Sequence, residues 1–280
     1  MKKIAWITDS SAYIPNEMIG REDIYVVPLI LILDGQEYRD GIDITEEELY
    51  PRLRTFTSPP KTSQPAIGDF VGLFNELKES YDAVIGIHIS GALSGTISAC
   101  QQAAEVVGLD MRIVDSKILA YPLTNLIERG IALNKEGKEV DEIVKQLQTI
   151  ANSVEAYVLV GSLEQLQRSG RLNGIQYVIG NLLNIRPIIT FNDGKLEVFE
   201  KKRSETKATN RIFEMLVEGM SKSTKQEIFI LHANAEHIAN QWKERILETY
   251  PHVNVLIGPL SSAVTLHAGE GTIGLVWFNE

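Results

Sequence analysis

Residues 83–96 read Ala-Val-Ile-Gly-Ile-His-Ile-Ser-Gly-Ala-Leu-Ser-Gly-Thr. The first seven are typical of a buried strand, and the glycines and hydroxyls that follow indicate a loop that leads into a helix. A parallel strand delivers such a loop to one edge of its sheet, where glycine lets a ligand approach the backbone and the helix directs unpaired N–H groups at it. The stretch therefore predicts an anion site, and two further loops are expected to contribute to it: Thr62-Ser63-Gln64-Pro65 and His267-Ala268-Gly269-Glu270-Gly271.

Predicted strands and helices alternate along the rest of the chain, which indicates an α/β fold with mainly parallel sheets flanked by helices. Several strands are almost wholly apolar, as in Ile228-Phe229-Ile230-Leu231, and such strands suit a sheet that helices cover on both faces. Strands are predicted at Lys3–Thr8, Tyr25–Leu33, Ala83–Ile89, Arg112–Asp115, Ala156–Gly161, Arg186–Thr190, Glu227–Ala233, Asn254–Gly258 and Thr272–Phe278.

Local sequence signals place several helix ends and one turn. Thr45-Glu46-Glu47-Glu48 has the spacing of a helix capping box, and Pro65 is placed like a proline in the first turn of a helix. Apolar residues recur with helical spacing over Asp141–Ile150. Asn192-Asp193-Gly194-Lys195 separates two apolar runs and predicts a β-hairpin.

The chain has 280 residues, enough for one large or two ordinary domains, and two lobes are favoured. Polar residues near Asn152 give the best boundary close to Val154, so we predict an N-terminal α/β lobe over 1–153 and a C-terminal α/β lobe over 154–280. No linker is long enough to make the two lobes independent.

Composition excludes several classes of function. The formal net charge is −10, and the densest cationic cluster is Lys201-Lys202-Arg203, so a nucleic-acid partner is not expected. The apolar run at the N-terminus breaks at Asp9, too early for a signal peptide, and no apolar run reaches the ~18 residues of a membrane span. A single cysteine, Cys100, excludes an internal disulfide framework and a cysteine-rich metal site. A cytoplasmic setting is expected.

Ser94 is the sharpest candidate for chemistry, because it lies at a strand-to-helix junction where several backbone donors meet. A nucleophile is one use of such a serine, but the nucleophile elbow of α/β-hydrolases needs glycine two residues before the serine, and Ala92 stands there. The histidines give no metal-ligand spacing, so no metal is predicted. His267 and the hydroxyls at 62 and 63 have both a ligand-binding and a purely structural interpretation, the latter as helix caps or a core histidine.

Gly170-Arg171-Leu172 is followed by a stretch rich in large apolar residues, which includes Tyr177, Leu182 and Ile185. One interpretation is a core helix that leads into a strand. The other is the apolar wall of a ligand tunnel with an arginine at its mouth. Periodicity alone does not separate them.

The order and spacing of seven short motifs resemble those of the DegV family of bacterial fatty-acid-binding proteins from one end of the chain to the other. The motifs are Thr8-Asp9-Ser10-Ser11, Thr62-Ser63-Gln64-Pro65, Ile89–Thr96, Asp115-Ser116, Gly170-Arg171-Leu172, Ile185-Arg186-Pro187-Ile188 and His267-Ala268-Gly269. The resemblance implies a two-lobed α/β fold with a long-chain fatty acid between the lobes, its tail in a buried tunnel. It implies a carrier and not an enzyme, with the fatty acid as ligand and no cofactor.

The resemblance also implies a partner, a kinase similar to dihydroxyacetone kinases that uses ATP to convert the bound carboxylate to an acyl phosphate for phospholipid synthesis. Transient contact with a membrane surface is compatible with lipid exchange. By motif position, the carboxylate ligands would be Thr62, Ser94 and His267. Secondary contacts would come from Ser63, Gly95, Thr96 and Ile188, and the kinase would dock near Arg171 and Arg203.

Two departures from the family pattern bear on the pocket. Bulky residues follow Asp115-Ser116, among them Tyr121, and they would shorten or redirect a tunnel. Glu270 stands close to the expected carboxylate site, where it would repel an anion, so we predict that it faces solvent. Two other functions stay open: a serine hydrolase of esters or thioesters that uses Ser94 and His267, and a binding module for another anionic amphiphile.

Overall fold

The computed structural model describes residues 2–172, 185–221 and 227–279. The chain divides into two compact units. The first comprises Met1–Asn152 together with Ser261–Ala263, and the second comprises Ser153–Leu260 and Val264–Glu280. The short segment at 261–263 thus belongs to the first unit. A division of the chain at one boundary near Val154 would assign this segment to the second lobe.

A four-stranded parallel sheet forms the centre of the first unit. Its strands are β1 (Ile4–Asp9), β2 (Ile24–Val27), β6 (Ala83–His88) and β7 (Met111–Asp115), in the spatial order β2-β1-β6-β7. The unit also contains a short 3-10 helix (Asn16–Met18) and the helices α1 (Glu46–Arg52), α2 (Ile67–Leu77), α3 (Thr96–Val107), α4 (Ala120–Lys135) and α5 (Val140–Asn152).

A small antiparallel sheet interrupts this parallel arrangement. It consists of β3 (Ile30–Leu33), β4 (Gln36–Arg39) and β5 (Lys61–Ser63) in the order β4-β3-β5. The single strand predicted over Tyr25–Leu33 is therefore wrong: it is two strands in different sheets, which part at Pro28. Proline has no N–H to donate to a sheet, so a break there is physically reasonable.

The second unit is built on a six-stranded mixed sheet. Its strands are β8 (Val154–Leu159), β9 (Arg186–Asn192), β10 (Lys195–Lys202), β11 (Glu227–His232), β12 (Asn254–Pro259) and β13 (Ile273–Phe278), in the order β10-β9-β8-β13-β11-β12. Among its described pairs only β11 and β12 are parallel. The helices are α6 (Leu163–Arg168), α7 (Glu205–Met220), α8 (Glu236–Thr249) and α9 (Ser262–Ala268), whose first two residues group with the first unit.

The α/β fold class is confirmed. The expectation of parallel strands is met in the four-stranded sheet of the first unit, whereas the small sheet of that unit is antiparallel and the sheet of the second unit is mixed. The capping box at Thr45 and Glu48 is present in both directions, and the hairpin at 192–195 is formed, with Asp193 and Gly194 at positive φ. Pro65 is not in the first turn of a helix, because α2 begins at Ile67 after the N-cap Ala66.

Each unit has its own apolar core. In the first, helices α2 and α3 pack on the sheet through Phe70, Phe74 and Cys100, all fully buried. The Cys100 sulfur lies 3.8 Å from that of Met111. In the second, Trp277 and Leu275 of β13 pack in one cluster with residues of α7 and α8. The sheets therefore position the loops that follow their strands.

Candidate functional site

The loop from Ile89 to Gly95 joins β6 to α3 at the carboxyl edge of the parallel sheet, as expected. The Ser94 hydroxyl is half-buried and lies 2.8 Å from the Thr96 hydroxyl, and it also accepts a hydrogen bond from the Thr96 N–H at 3.3 Å. The Thr96 side chain is fully buried. The buried Thr96 therefore fixes the Ser94 hydroxyl through hydrogen bonds, and Ser94 is the one of the two that a ligand can reach.

Most N–H groups of the loop itself are already engaged, so donors for an anion have to come from the start of the helix that follows. The Leu93 and Ser94 N–H groups donate to the Ser90 carbonyl at 2.9 and 3.2 Å, and the Ala92 N–H donates to the Ser90 hydroxyl. Within the described part of the chain, no acceptor lies in hydrogen-bonding range of the N–H groups of Gly95, Ile97 and Ser98. The free donors thus lie at the first turn of α3.

The segment Thr62-Ser63-Gln64 lies beside this first turn. Thr62 and Ser63 are half-buried on β5, where they pair with Leu31 and Ile30 of β3. A Cβ atom built on Gly95 would lie 3.3 Å from the Gln64 carboxamide, so a glycine gives Gln64 room to pack there. The first unit therefore brings together two of the three predicted motifs, the hydroxyl segment at 62–64 and the Ser94 loop.

An acid pair in the first unit was missed from the sequence. Asp40 is buried, and its Oδ2 accepts a hydrogen bond from the Ser10 hydroxyl at 2.9 Å. Burial raises the pKa of Asp40 to about 6. Burial, followed by the charges of Asp40 and Glu47, raises the pKa of Glu46 to about 7. Asp40 directly follows a polar strand and precedes a glycine, a context typical of an exposed turn, so no local signal marked it as buried.

In the second unit, His267 lies at the end of α9 and is half-buried. Burial, and to a smaller extent the charge of Arg171, lowers its pKa to about 4. The imidazole is therefore neutral at physiological pH, with one nitrogen to donate a hydrogen bond and one to accept. A neutral imidazole near a fixed cation suits an anionic group.

Arg171 is half-buried and follows Gly170, which has a positive φ of 71°. Its Nη1 donates to the Ser169 carbonyl at 2.7 Å, and burial lowers its pKa. Among the described residues, no carboxylate comes within ion-pairing distance of its guanidinium. Its charge is thus not neutralised by a neighbouring acid in the part of the chain that is described.

Glu270 follows Gly269 in the third predicted loop. Its side chain is half-buried, and its carboxylate accepts a hydrogen bond from the Asn234 amide at 2.7 Å. The prediction that Glu270 faces solvent is therefore met only in part. The backbone of this loop is closely packed, since a Cβ on Gly161 would lie 1.9 Å from the Glu270 carbonyl oxygen.

The remaining predicted residues occupy varied environments. Ile188 is fully buried in the core of the second unit, and Arg203 is exposed between β10 and α7. Tyr121 is buried in the first unit, with its ring 5.1 Å from that of Tyr13. Most of the predicted tunnel wall, including Tyr177 and Leu182, lies outside the described residues.

Neither a metal-binding cluster nor a membrane-spanning helix occurs over residues 2–172, 185–221 and 227–279. No group of three or more histidine, cysteine or acidic side chains is arranged to hold a metal ion there. None of the helices in those ranges is both long and apolar enough to cross a membrane.

Comparison with known proteins assigns this architecture. A family model described as "Uncharacterised protein, DegV family" matches residues 3–280. The protein DegV of Bacillus subtilis is 37% identical over 276 residues, which cover 98% of each chain. The crystal structure of DegV, a fatty acid binding protein from Bacillus subtilis, matches with a TM-score of 0.89 at 36% identity and covers 100% of both chains. A structure of fatty acid binding by a DegV family protein from Thermus thermophilus matches with a TM-score of 0.92 at 29% identity, over 99% of this chain and 100% of that one.

Proposed function

This chain belongs to the DegV family, and from that premise we propose that it binds one long-chain fatty acid and presents its carboxylate to a separate kinase. The solved relatives from Bacillus subtilis and Thermus thermophilus are described as fatty acid binding proteins. The observation in this chain that best supports the proposal is the set of donors beside Ser94. Its hydroxyl and the N–H groups of Gly95 and Ile97 form a set of hydrogen-bond donors for a carboxylate, which only accepts.

The carboxylate ligands in this proposal are Thr62, Ser94 and His267. A carboxylate taken out of water needs several donors, because the loss of hydration is costly unless hydrogen bonds replace it. Hydroxyls and a neutral imidazole supply donors without adding a second negative charge. The Arg171 cation in the second unit adds favourable electrostatics for an anion.

The hydrocarbon tail supplies most of the affinity. Each buried CH₂ group contributes ~0.8 kcal/mol, so a chain of about sixteen carbons binds tightly even after the entropy of its ordering is subtracted. A carrier of this kind needs no nucleophile of its own. The incomplete nucleophile elbow around Ser94 agrees with that role.

Presentation to a kinase is the finer part of the proposal. A carboxylate oxygen would bond to the γ-phosphorus of ATP as ADP leaves, and the acyl phosphate formed would enter phospholipid synthesis. Exposed Arg203 would contact the kinase, and Arg171 would lie near the reacting carboxylate. Arginine suits both places, since its planar guanidinium binds carboxylates and phosphates with two hydrogen bonds.

A serine hydrolase is less well supported. The described partners of the Ser94 hydroxyl are the hydroxyl and the N–H of Thr96, and neither is a base that could take the serine proton. Labelling of Ser94 by a fluorophosphonate would reverse this preference.

The first test is lipid content and oleate affinity. We expect organic extracts of the purified protein to contain about one fatty acid per chain, and calorimetric titration of delipidated protein with oleate to give tight binding. The double variant Thr62→Ala/Ser94→Ala should lose both. Its matched control is Thr55→Ala/Ser80→Ala, which removes two exposed hydroxyls of the same unit. Absence of oleate binding by the wild type would overturn the proposal.

The second test addresses the kinase. The oleate-loaded protein, a dihydroxyacetone-kinase-like kinase and ATP should together yield acyl phosphate, trapped as a hydroxamate. Arg203→Ala should abolish formation of the complex but leave oleate affinity unchanged. Tight oleate binding without acyl phosphate from any such kinase would instead indicate a binding module for fatty acids or another anionic amphiphile.

A further inference from the structure

Each of three neighbouring strands of the parallel sheet ends in a polar residue, and the three residues lie side by side at the carboxyl edge of the sheet. Asp9 ends β1, His88 ends β6 and Asp115 ends β7, and β6 lies between the other two. The loop that carries Ser94 starts directly after His88. Two aspartates on the flanking strands therefore stand on either side of the point where this loop leaves the sheet.

Asp9 is fully buried, and both of its carboxylate oxygens are engaged. Oδ1 accepts hydrogen bonds from the N–H and the hydroxyl of Ser11, at 3.0 and 2.6 Å. Oδ2 accepts from the Ile89 N–H at 2.9 Å and lies 3.2 Å from Nδ1 of His88. Every partner is a donor or can be one, so a carboxylate, which only accepts, is the side chain that satisfies all four.

Asp115 holds the other side of the loop. Its Oδ1 accepts from the Gly91 N–H at 3.2 Å and from the Lys117 N–H at 3.0 Å, and its Oδ2 pairs with the Lys117 ammonium at 3.3 Å. A Cβ built on Gly91 would lie 3.3 Å from Asp115 Oδ2, so this close approach uses a glycine.

The two carboxylates thus accept from alternate N–H groups of the loop, those of Ile89 and Gly91. Ser90, between them, continues the chain of contacts, because its carbonyl accepts the N–H of Ser94. We propose that Asp9 and Asp115 form a carboxylate clamp, a pair of positioning residues that fixes the direction of the Ser94 hydroxyl. The inference rests on the proposed role of Ser94 as a fatty-acid ligand.

The clamp has a second effect on an incoming carboxylate. By engaging the first N–H groups of the loop, it removes them from the set available to a ligand. The donors that remain are the Ser94 hydroxyl and the N–H groups at the first turn of α3. The head group is thereby directed to the start of α3 and away from the two aspartates, where like charges would repel it.

The test compares variants that remove or keep the acceptor oxygens. Asp115→Ala removes the acceptor for Gly91, whereas Asp115→Asn keeps it, since both backbone donors point at one oxygen. Asp9→Asn cannot keep all four bonds, because an amide must direct its NH₂ group at donors. The control is Asp82→Ala, which removes a carboxylate that accepts the Lys3 N–H at 2.7 Å at the opposite end of β1.

We expect oleate affinity to fall about tenfold in Asp115→Ala and in Asp9→Asn, the effect of one misplaced hydrogen bond, and to be unchanged in Asp115→Asn and Asp82→Ala. A double-mutant cycle separates positioning from general destabilisation. In a Ser94→Ala background, Asp115→Ala should cost no further affinity, because the hydroxyl it positions is gone.

Equal losses of affinity from Asp115→Ala with and without Ser94 would overturn the clamp, as would full affinity in that variant. If Asp9→Asn does not fold, the three measurements at Asp115 still decide. Failure of the proposed function has a different signature, since the wild type would then bind no oleate at all.

Discussion

Partial or complete burial shifts the pKa of carboxyl groups in the first unit and of an imidazole and a guanidinium in the second. Burial raises the pKa of Asp40 to about 6 in the first unit and lowers the pKa of His267 to about 4 in the second. The physical cause is the same, since removal from water favours the neutral form of each group. The pH response of these two groups is therefore opposite: protonation of Asp40 at low pH favours the folded state, whereas protonation of His267 opposes it.

A test of this contrast needs variants that destabilise one unit and not the other. Substitution of two glycines is expected to have the largest effect on the free energy of unfolding. A Cβ on Gly161, in the second unit, would lie 1.9 Å from the Glu270 carbonyl oxygen, and one on Gly130, in the first, 2.5 Å from the Trp6 ring. We expect Gly161→Ala and Gly130→Ala each to destabilise its own unit by more than about 4 kcal/mol.

Urea denaturation followed by tryptophan fluorescence measures this. Trp6 reports on the first unit in a Trp242→Phe/Trp277→Phe background, and Trp277 reports on the second unit in a Trp6→Phe/Trp242→Phe background. The control is Gly72→Ala within α2, where a Cβ meets nothing within 4 Å. It should be neutral or stabilising by up to ~1 kcal/mol. A loss of stability in Gly161→Ala no larger than in this control would contradict the close packing of Gly161.

The next effect is the pH dependence of the first unit. Asp40 has an ordinary pKa of 3.8 and a folded pKa of about 6, so the folded state binds a proton between these values that the unfolded state does not. Stability should therefore fall by up to about 3 kcal/mol as the pH rises from about 4 through 6. Glu46 acts in the same direction up to about pH 7.

Asp40→Asn should remove the part of this dependence that Asp40 contributes and leave the part due to Glu46, because the amide oxygen can still accept from Ser10 but carries no charge. Trp6 fluorescence during urea denaturation at several pH values measures the change. An unaltered slope of stability against pH in Asp40→Asn would show that Asp40 is not the titrating group.

An effect of similar size and opposite sign is expected at His267. Its pKa falls from 6.5 to about 4 on folding, so stability present above about pH 6.5 is lost as the pH falls through 4. NMR titration of its ring protons, assigned with His267→Gln, measures the pKa directly. Arg171→Gln should raise that pKa, though less than burial lowers it, and saturation with oleate should raise it as well. A pKa that is the same with and without oleate would argue against contact between His267 and the carboxylate.

Helix caps give the smallest contrast between the units. Thr45 and Glu48 form a two-way capping box on α1, whereas Ser162 caps α6 by accepting from the Gln165 N–H alone. Thr45→Ala should cost about 1 kcal/mol and Ser162→Ala somewhat less. Thr45→Ser, which keeps the hydroxyl, is the control in the same denaturation assay. A larger cost at Ser162 would reverse the order.

The sequence was sufficient for features that depend on local chemistry. The hairpin at 192–195 could be predicted from one dipeptide suited to positive φ. The strand that ends at His88 could be predicted from an apolar run followed by glycine. Family motifs placed Thr62 and Ser94, and the structure brings their segments together in the first unit.

Features that depend on distant residues were not predictable in this way. Asp9 and Asp115 are 80 and 24 residues from the loop N–H groups that they bind, and no local pattern shows that those donors are engaged. Asp40 is buried because the segment at 261–263 packs against it from far along the chain, with the Ala263 N–H 3.4 Å from its Oδ2. Such contacts arise from tertiary structure, which overrides local preference.

The rate at which the buried thiol of Cys100 is alkylated can report how often the first unit opens. Burial raises its pKa to about 12, so the reactive thiolate is almost absent while the unit stays folded. Alkylation of Cys100 in the wild-type protein therefore requires the first unit to open, and each opening exposes this one thiol to the reagent. Because the chain has no other cysteine, a cysteine introduced at an exposed position such as Val106 would accept a dye selectively in the native protein.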